Sequence, residues 1–398
     1  MMRLSLIIFS LLLPAYSLAG TTKIDYQQQV LVLPAGKVSV RLPVGMQLEL
    51  LTDEMNSPRL LTFTKNGDLF AGSRSGNVYR ITPPYTRAKV LINTGGYPHN
   101  VAFRDNEILI ATTGGLYRAS YRPEQNKVNE SALRLVAKIP GGGGHNSRTV
   151  AIGPDKRVYL SLGIAGNCSD QYLGKPYPFT DRRGGVMVLD ESSKQPQWQT
   201  FASGLRNPVG FDWHPDTGVM YASNNGPDHL GFDLPPEYFS RLEQGTFMGM
   251  PWFQYDGKAL SRDACMKSAP PKSAVDVTLP VATFPARNAP MGVSFVPAHG
   301  LDARFTGDAI VALKGSWGTK PSGSFNGDPA SRREPKLVIV RFQEGKAQRV
   351  DDLVTGFQLE DGSRWARPVG VATGPDGALY FTSDSGINGL FRLKKIAR

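Results

Sequence analysis

The sequence predicts an all-β protein, and two observations support that prediction. The 398-residue chain contains 43 glycines and 30 prolines, which are spread along its length without any long stretch of helical periodicity. Short runs rich in Val, Ile, Leu, Tyr and Phe recur between turn signals, a pattern typical of many short strands joined by tight turns.

The strand-rich runs also repeat as a unit. Each unit reads as a strand, a turn of the Pro-Asp-Gly kind, a second strand, a glycine turn and a third strand that ends in an aromatic residue. Units spaced by roughly 40 to 80 residues are typical of propeller blades, so these predict a six-bladed β-propeller with four-stranded antiparallel blades. The units begin at Pro58, His99, Ser147, Asn207, Pro290 and Arg367.

The N-terminus predicts export. Residues 1–19 carry one basic residue, a short apolar core and small residues before Ala19, which is the pattern of a cleaved signal peptide. The core is too short to span a membrane, so we expect a periplasmic protein without membrane insertion. Residues 20–43 are expected to close the propeller ring, and residues 44–398 to form the propeller.

Charge and cysteines restrict the partners. The net charge is +11, but the basic residues are spread rather than gathered in a stripe, which argues against nucleic acid and suits an anionic small ligand. Cys168 and Cys265 lie in turn-rich regions, where they either pair in an oxidising compartment or remain unpaired. We expect a monomer or a homodimer.

The stretch Gly141–Arg148 places a histidine directly before a predicted inner strand. Its four glycines allow a sharp turn and the close approach of a ligand. His145 follows them and is a candidate general base, because imidazole titrates near neutral pH; the alternative is a histidine that caps a strand. Other inner strands also begin with polar residues, which in a propeller converge on one mouth of the channel: His99, Asn100, Arg148, Arg206, Asn207, Asn288, Arg364 and Arg367.

Three of the remaining features can be interpreted either as ligand-binding groups or as ordinary structural residues. Arg206 and Asn207 offer a cation and an amide to one small target, or a salt bridge within a loop. Lys314 ends an apolar strand, which favours binding over a solvated charge. The turn Asn224–Asp228 offers oxygen ligands that suit calcium, or is simply a turn. His214 and His299 are expected on the surface.

Two long insertions, at about residues 163–185 and 224–283, are rich in aromatic residues. Loops of this length in a compact domain are usually functional or disordered. We expect their aromatic side chains to form walls of a substrate cleft: Tyr172, Tyr177, Phe179, Trp252, Phe253 and Tyr255.

With these residues in hand, the chain from about residue 44 onward resembles the glucose/sorbosone dehydrogenase family, whose quinoprotein members use pyrroloquinoline quinone and calcium. The likeness is strongest to its sorbosone-type, aldose-oxidising branch. It is carried by the stretches Gly144–Asp155, Phe201–Gly210, Asn224–Asp228 followed by Asp233–Glu237, Ala312–Trp317 and Arg367–Gly377.

The resemblance implies roles for individual residues. His145 corresponds to the base that removes the proton from the sugar hydroxyl, and Arg206 to the residue that polarises the quinone oxygen. The carbonyls of Gly226 and Pro227 correspond to calcium ligands.

Further residues correspond to groups that hold the cofactor. Asn207 lies on the cofactor, and Lys314 and Arg367 meet its carboxylates. The glutamine that some members of the family use to contact the cofactor from the first blade is not evident in this sequence. His99 or Asn100 stands near that position. The last blade also lacks the close arginine pair found in the family.

The function predicted from the resemblance is the oxidation of an aldose or a sugar aldehyde to the lactone or acid, with an unidentified electron acceptor. A non-enzymatic propeller that binds carbohydrate or a partner is the alternative. A metal lactonase ranks last, because that chemistry needs acidic residues around the axis and the inner-strand entries are basic and amide-bearing.

Overall fold

The computed structural model describes residues 23–34 and 36–396, so the predicted signal peptide lies outside the described residues. The described chain begins with two strands that form a separate hairpin and a third that joins the last blade. These strands are Tyr26–Leu33 (β1), Gly36–Pro43 (β2) and Met46–Thr52 (β3).

The next four-stranded sheets are the first two blades, whose strands follow one another from the channel axis outward. Blade 1 consists of Pro58–Phe63 (β4), Leu69–Ser73 (β5), Asn77–Ile81 (β6) and Ala88–Asn93 (β7). Blade 2 consists of Val101–Arg104 (β8), Glu107–Ala111 (β9), Gly115–Ser120 (β10) and Arg134–Lys138 (β11).

Blades 3 and 4 carry the long insertions. Blade 3 consists of Arg148–Ile152 (β12), Val158–Leu162 (β13), Gly185–Asp190 (β14) and Gln197–Ser203 (β15). Blade 4 consists of Phe211–Trp213 (β16), Met220–Asn224 (β17), Glu237–Leu242 (β18) and Ala282–Phe284 (β22). Between its last two strands lie Thr246–Phe247 (β19), which extends blade 3 in parallel, and the hairpin of Phe253–Tyr255 (β20) and Leu260–Arg262 (β21).

Blades 5 and 6 complete the ring. Blade 5 consists of Pro290–Phe295 (β23), Ala309–Leu313 (β24), Lys336–Gln343 (β25) and Lys346–Val354 (β26), and blade 6 of Ala366–Thr373 (β27), Leu379–Lys395 (β28) and β3. Five short 3-10 helices occur in the described chain: Glu130–Ala132, Phe179–Asp181, Ala274–Asp276, Ala303–Phe305 and Pro329–Ser331.

The long strand β28 acts as two strands of blade 6. Its first half pairs with β27 and its second half with β3, on either side of Gly386, whose φ is +71°. The rings of Phe381 and Phe391 stack with centroids 5.0 Å apart, so the two halves face each other as a hairpin. The predicted six-bladed propeller with four-stranded antiparallel blades is therefore confirmed.

Strand β3 closes the ring by pairing an N-terminal segment with the last C-terminal strand. The β1–β2 hairpin then covers the outer edge of β3 through side chains. Gln29 donates to the carbonyl of Leu48 at 2.7 Å and accepts from its amide at 2.8 Å. The hairpin thus covers an edge that would otherwise be open to another strand.

Apolar clusters between neighbouring blades hold the ring together. Each of six buried clusters combines residues of two adjacent blades, from the cluster of blades 1 and 2 around Phe70 and Ile110 to the cluster of blades 6 and 1 around Tyr380 and Leu69. Burial of apolar surface is the main favourable term in folding. Because the last cluster joins the two ends of the repeat, the core is continuous around the axis.

The six innermost strands line one cavity of about 460 Å³, which is the channel at one end of the axis. The loops that lead into these strands lie at its other end, and there the predicted polar residues stand. In the described residues, no helix has both the length and the apolar character that crossing a bilayer requires.

Candidate functional site

The glycine stretch leads into β12, the innermost strand of blade 3, and presents His145 at the channel mouth. Nδ1 of the imidazole lies 2.5 Å from the carbonyl oxygen of Ile164. A carbonyl can only accept, so Nδ1 carries the proton and Nε2 keeps its lone pair. Burial and the charge of Arg206 lower the pKa of His145 to about 4. The imidazole is therefore neutral at pH 7, with a free acceptor.

The reason for the glycines differs from the one expected. Gly144 has φ +78°, and a Cβ there would lie 1.9 Å from the carbonyl oxygen of Ala165. Gly163, across from it, would place a Cβ 2.6 Å from Cβ of His145 and 2.8 Å from Oδ1 of Asn207. Gly144 of the stretch and Gly163 opposite it are thus required by the close packing around His145, rather than by an approaching ligand.

Two buried arginines hold the loop of His145. Arg183 donates to the carbonyl of His145 at 2.9 Å, of Gly143 at 3.0 Å and of Gly163 at 2.7 Å. Arg148 also donates to the carbonyl of His145, at 3.0 Å. Because each guanidinium has several donors in a fixed plane, the loop is fastened at several points. Arg148, named among the polar residues that converge on the mouth, is fully buried and supports the loop.

Arg206 enters from the loop before β16 and is 6 % exposed. Its NH2 donates to Asp228 Oδ2 at 2.9 Å and to Asn167 Oδ1 at 2.6 Å, and Nε donates to the same amide oxygen at 3.0 Å. NH1 has only a long bond, 3.4 Å, to the carbonyl of Asn225. The guanidinium is therefore fixed on two sides and keeps N–H capacity at NH1.

Arg287 is a second buried cation on the same carboxylate. Its NH1 lies 2.5 Å from Asp228 Oδ1. One carboxylate thus joins arginines from blades 4 and 5. Beside Arg206, Oδ1 of Asn207 is buried without a hydrogen-bond partner among the described residues.

The turn at Gly226 and Pro227 leaves both carbonyl oxygens free of hydrogen bonds from other described residues. The amide of Gly226 donates to Oε2 of Glu237 at 2.5 Å. Glu237 is 3 % exposed, and burial raises its pKa to about 7. The turn therefore offers two unpaired carbonyls next to the buried Glu237 and the partly exposed Asp228, which is a donor set suited to a hard cation.

Lys314 and Arg367 lie on the opposite side of the mouth. Lys314 Nζ is 2.6 Å from Asp384 Oδ2, and Arg59 NH1 is also 2.6 Å from that oxygen. Burial and the charge of Arg59 lower the pKa of Lys314 to about 7. Arg367 donates to the carbonyls of Lys314 and Gly315 and forms no ion pair with any described carboxylate.

His99 is fully buried between the two sides. Its Nδ1 lies 2.9 Å from the hydroxyl of Thr149, which itself donates to the carbonyl of Val209. The single hydroxyl proton is used, so Nδ1 of His99 donates and Nε2 is an unpartnered acceptor. Burial, first, and then Arg59 and other cations hold the pKa of His99 well below its usual range.

Three other residues at the entries to inner strands differ in what their side chains contact. Asn100 bonds the amide and carbonyl of Val150 at 2.9 and 2.8 Å and ties blade 2 to blade 3. Arg364 donates to the carbonyls of Ser316 and Arg333. Asn288 is buried with its Oδ1 unpartnered among the residues described, and so remains available to a ligand.

Two expectations about the surface differ from the structure, the second of them in part. His214 is 3 % exposed because its ring packs against Phe295 and Phe342, with centroids 5.1 and 5.3 Å away. Of the aromatic residues expected to wall a cleft, Phe179 is exposed and lines a cavity of about 890 Å³ beside β11 and β15. Others are packed away from solvent, and Trp252 is fully buried. They pack on one another in a cluster of their own: Tyr172, Tyr177, Phe247, Trp252, Phe253, Leu260, Cys265, Met266 and Val277.

Several residues of the mouth were missed by sequence reasoning: Arg59, Asn167, Arg183, Asp384 and the paired role of Arg287. Arg59 stands at an inner-strand entry and could have been found by the rule that found the others. Asn167 and Asp384 come from a loop and from the turn of β28, where no local pattern marks them. The two cysteines, for which the sequence allows either state, form a disulfide between Cys168 and Cys265.

Fold and site together define a six-bladed propeller whose channel mouth combines a neutral histidine, fixed cations and a turn suited to a hard cation. A family model described as TrAA12-like matches residues 40–234. An uncharacterised protein of Borreliella burgdorferi is 25 % identical over 370 residues, which cover 89 % of this chain and 90 % of that protein.

Solved structures share the whole propeller. The iodide structure of the Trichoderma reesei Carbohydrate-Active Enzymes family AA12 protein has a TM-score of 0.75 at 19 % identity and covers 94 % of this chain and 100 % of its own. Its calcium structure has a TM-score of 0.74 at 18 % identity, with 94 % and 99 % covered. The holo pyranose dehydrogenase PQQ domain of Coprinopsis cinerea has a TM-score of 0.70 at 19 % identity, with 90 % and 97 % covered. At these identities the likeness shows a common fold.

Proposed function

We propose that this protein is a quinone-dependent sugar oxidoreductase that converts an aldose or a sugar aldehyde to the lactone or acid. One observation carries the proposal: a histidine kept neutral, with Nε2 free, lies beside a fixed guanidinium at the cationic mouth of the propeller. The similarity in fold to a PQQ domain of a pyranose dehydrogenase and to an AA12 protein supports the same interpretation.

The residues at the mouth fit pyrroloquinoline quinone. Three buried acceptor atoms, Nε2 of His99 and Oδ1 of Asn207 and Asn288, have no partner among the described residues. Unpaired buried polar atoms are costly and usually mark a missing partner. Lys314 and Arg367 would hold the carboxylates of the cofactor by charge-assisted hydrogen bonds. When bound, the quinone would supply the acceptor for the hydride of the sugar.

Calcium fits the turn at Gly226 and Pro227. Two free carbonyls are hard oxygen ligands, and the buried carboxylate of Glu237 holds the amide of Gly226 from behind. A divalent ion is also favoured by the negative charge of Asp228 nearby. We therefore assign this turn as the place where calcium would bind.

His145 would take the proton of the sugar hydroxyl at Nε2. Its Nδ1 bond to Ile164 fixes the ring and the tautomer, and its low pKa keeps the accepting form populated at neutral pH. Arg206 would direct its NH1 donors to the quinone oxygen on which negative charge develops, a stabilisation that needs no reorganisation because the side chain is already fixed. The predicted signal peptide supports a periplasmic site of action.

The test is reconstitution. The purified mature protein is mixed with pyrroloquinoline quinone and calcium, and the absorbance of bound quinone is followed before and after a panel of aldoses is added, with dye-linked turnover measured in parallel. We expect micromolar binding and bleaching by at least one sugar. The His145→Asn variant serves as the control, which should bind quinone without bleaching. If the quinone does not bind, the proposal fails and the non-enzymatic carbohydrate-binding propeller takes its place.

A further inference from the structure

The alignment of Arg206 depends on a residue outside the inner strands. Oδ1 of Asn167 accepts from Nε and NH2 of Arg206, at 3.0 and 2.6 Å, and also from the amide of Asp228 at 3.2 Å. One amide oxygen therefore joins the arginine to the backbone of Asp228, the residue whose carboxylate balances it. Asn167 lies in the long loop between β13 and β14, which no neighbouring strand pairs with.

The residues that follow Asn167 and Asp228 in the sequence both contact one short segment, residues 263–265, in the insertion of blade 4. Cys168, next to Asn167, is disulfide-bonded to Cys265. His229, next to Asp228, lies with Nε2 3.0 and 3.1 Å from the carboxylate oxygens of Asp263. The segment is thus connected to both sides of Arg206.

The segment itself is firmly placed. Asp263 is 3 % exposed, and its carboxylate accepts from the amide of Cys265 at 3.0 Å and from the side chain of Gln254 at 3.0 Å. Trp252 beside it is fully buried in the aromatic cluster. The aromatic insertion of blade 4 therefore serves as a packed base for the two loops that hold Arg206.

We propose that the Cys168–Cys265 disulfide and the His229–Asp263 pair form a frame that positions Arg206, with Asn167 as the positioning residue. A guanidinium on a long flexible side chain loses its direction unless its acceptors are fixed. Without the disulfide, no cross-link holds the loop of Asn167 to the insertion of blade 4. If Asn167 then moves away, the carboxylate of Asp228 is the side-chain acceptor that remains for the guanidinium of Arg206. The inference rests on the proposed function only for what Arg206 does, not for how it is held.

The frame has a consequence that can be measured without cofactor. The charged groups around His145 are Arg206 and Arg183, which lower its pKa, Asp228, which raises it, and Arg148, which donates to its carbonyl. If Arg206 moves away, the imidazole loses the cation that lowers its pKa most, and its pKa rises. NMR titration of histidine-labelled apo-protein reports this directly, and an assignment by His145→Asn identifies the signal among five histidines.

The experiment compares Asn167→Ala and the double variant Cys168→Ser/Cys265→Ser with the native chain. Both are expected to raise the pKa of His145 by about half a unit or more and to lower kcat about 10- to 100-fold, with a smaller change in KM. Ser169→Ala, in the same loop, is the control and should change neither. Native protein treated with dithiothreitol repeats the test should the double variant fold poorly.

An unchanged pKa of His145 in Asn167→Ala would overturn the positioning role. The role of the frame would be overturned if the pKa of His145 shifts in Asn167→Ala but not when the disulfide is removed or reduced. In that case loss of the disulfide would lower only the melting temperature. The pKa measurement requires neither quinone nor sugar. A failure of the proposed function, seen as absent quinone binding, is therefore distinguishable from a failure of the frame.

Discussion

The two sides of the channel mouth hold cations in different ways. On one side Arg206 and Arg287 share Asp228, the buried Glu237 lies close by, and Asn167 fixes the arrangement. Arg206 and Arg287 are each paired with the carboxylate of Asp228, and the guanidinium of Arg206 is held by several acceptors. Such a group is prepared to direct a donor at one atom. Arg148 and Arg183, which hold the loop of His145, have their donors on backbone carbonyls instead.

On the other side, positive charge exceeds negative charge. Arg59 and Lys314 share a single carboxylate, that of Asp384. Arg367 donates only to backbone carbonyls, and a carbonyl does not neutralise it. Buried charges are normally paired, so this excess indicates a site that an anion completes.

The difference indicates that two parts of one ring of polar residues have different roles. The His145–Arg206 side is fixed by paired charges and several hydrogen bonds, which suits proton transfer and charge stabilisation. The Lys314–Arg367 side is cationic and incomplete, which suits binding of a carboxylate. Substitutions on the first side should therefore change kcat, and those on the second should change cofactor affinity.

The largest effect is expected for His145→Asn. Loss of the base should lower kcat about 10²- to 10⁴-fold, because an asparagine amide accepts a hydrogen bond but does not take up the proton, while the affinity for quinone should change little. Steady-state turnover and quinone titration measure the two quantities, and His299→Asn, an exposed histidine, is the control. Equal losses in kcat and in quinone affinity would contradict the assignment of the reaction to one side of the mouth and of cofactor binding to the other.

Lys314→Met should have the converse effect. Removal of one charge-assisted hydrogen bond to a carboxylate should weaken quinone binding about 10- to 100-fold, with kcat at saturating quinone nearly unchanged. Fluorescence titration measures the affinity. Lys346→Met, an exposed lysine on β26, is the matched control and should bind as the native protein does. A native affinity in Lys314→Met would exclude this side as the anion site.

A pH dependence sharpens the role of Lys314. Its pKa in the folded protein is about 7, so the ammonium is lost as the pH rises through and above that value, and quinone binding should weaken several-fold. Bound carboxylate moves the loss to somewhat higher pH. Lys314→Arg keeps its charge and should give a flat profile between pH 6 and 9 (a range chosen to bracket that pKa). The same slope in both proteins would assign the pH dependence to another group.

The fold could be predicted because the repeat is local. A strand, a turn and a strand recur in each blade, and the entries to the inner strands mark the mouth. His145, Arg206 and Arg367 follow from that rule, since the ends of the inner strands converge whatever their separation in sequence. Lys314 follows from a different one, because a lysine directly after an apolar strand is rarely a plain solvated charge.

The partners that determine their chemistry could not be predicted. Asp384 reaches Lys314 from the turn of β28, and Asn167 reaches Arg206 from a loop, so each contact depends on tertiary packing. His214 was misplaced for the same reason: a histidine in a turn is buried by two phenylalanines from another blade.

The smallest effect is expected for His99, which lies between the two sides. Its Nε2 is a neutral acceptor, and one neutral hydrogen bond contributes about 0.5–1.5 kcal/mol, so His99→Phe should weaken quinone binding about tenfold or less. Asn100→Leu is the matched comparison, because Asn100 bonds only the backbone of Val150. That variant should lower the melting temperature without a comparable change in affinity. If His99→Phe instead lowers kcat at saturating quinone, His99 belongs to the reacting side, and the boundary between the two sides shifts by one blade.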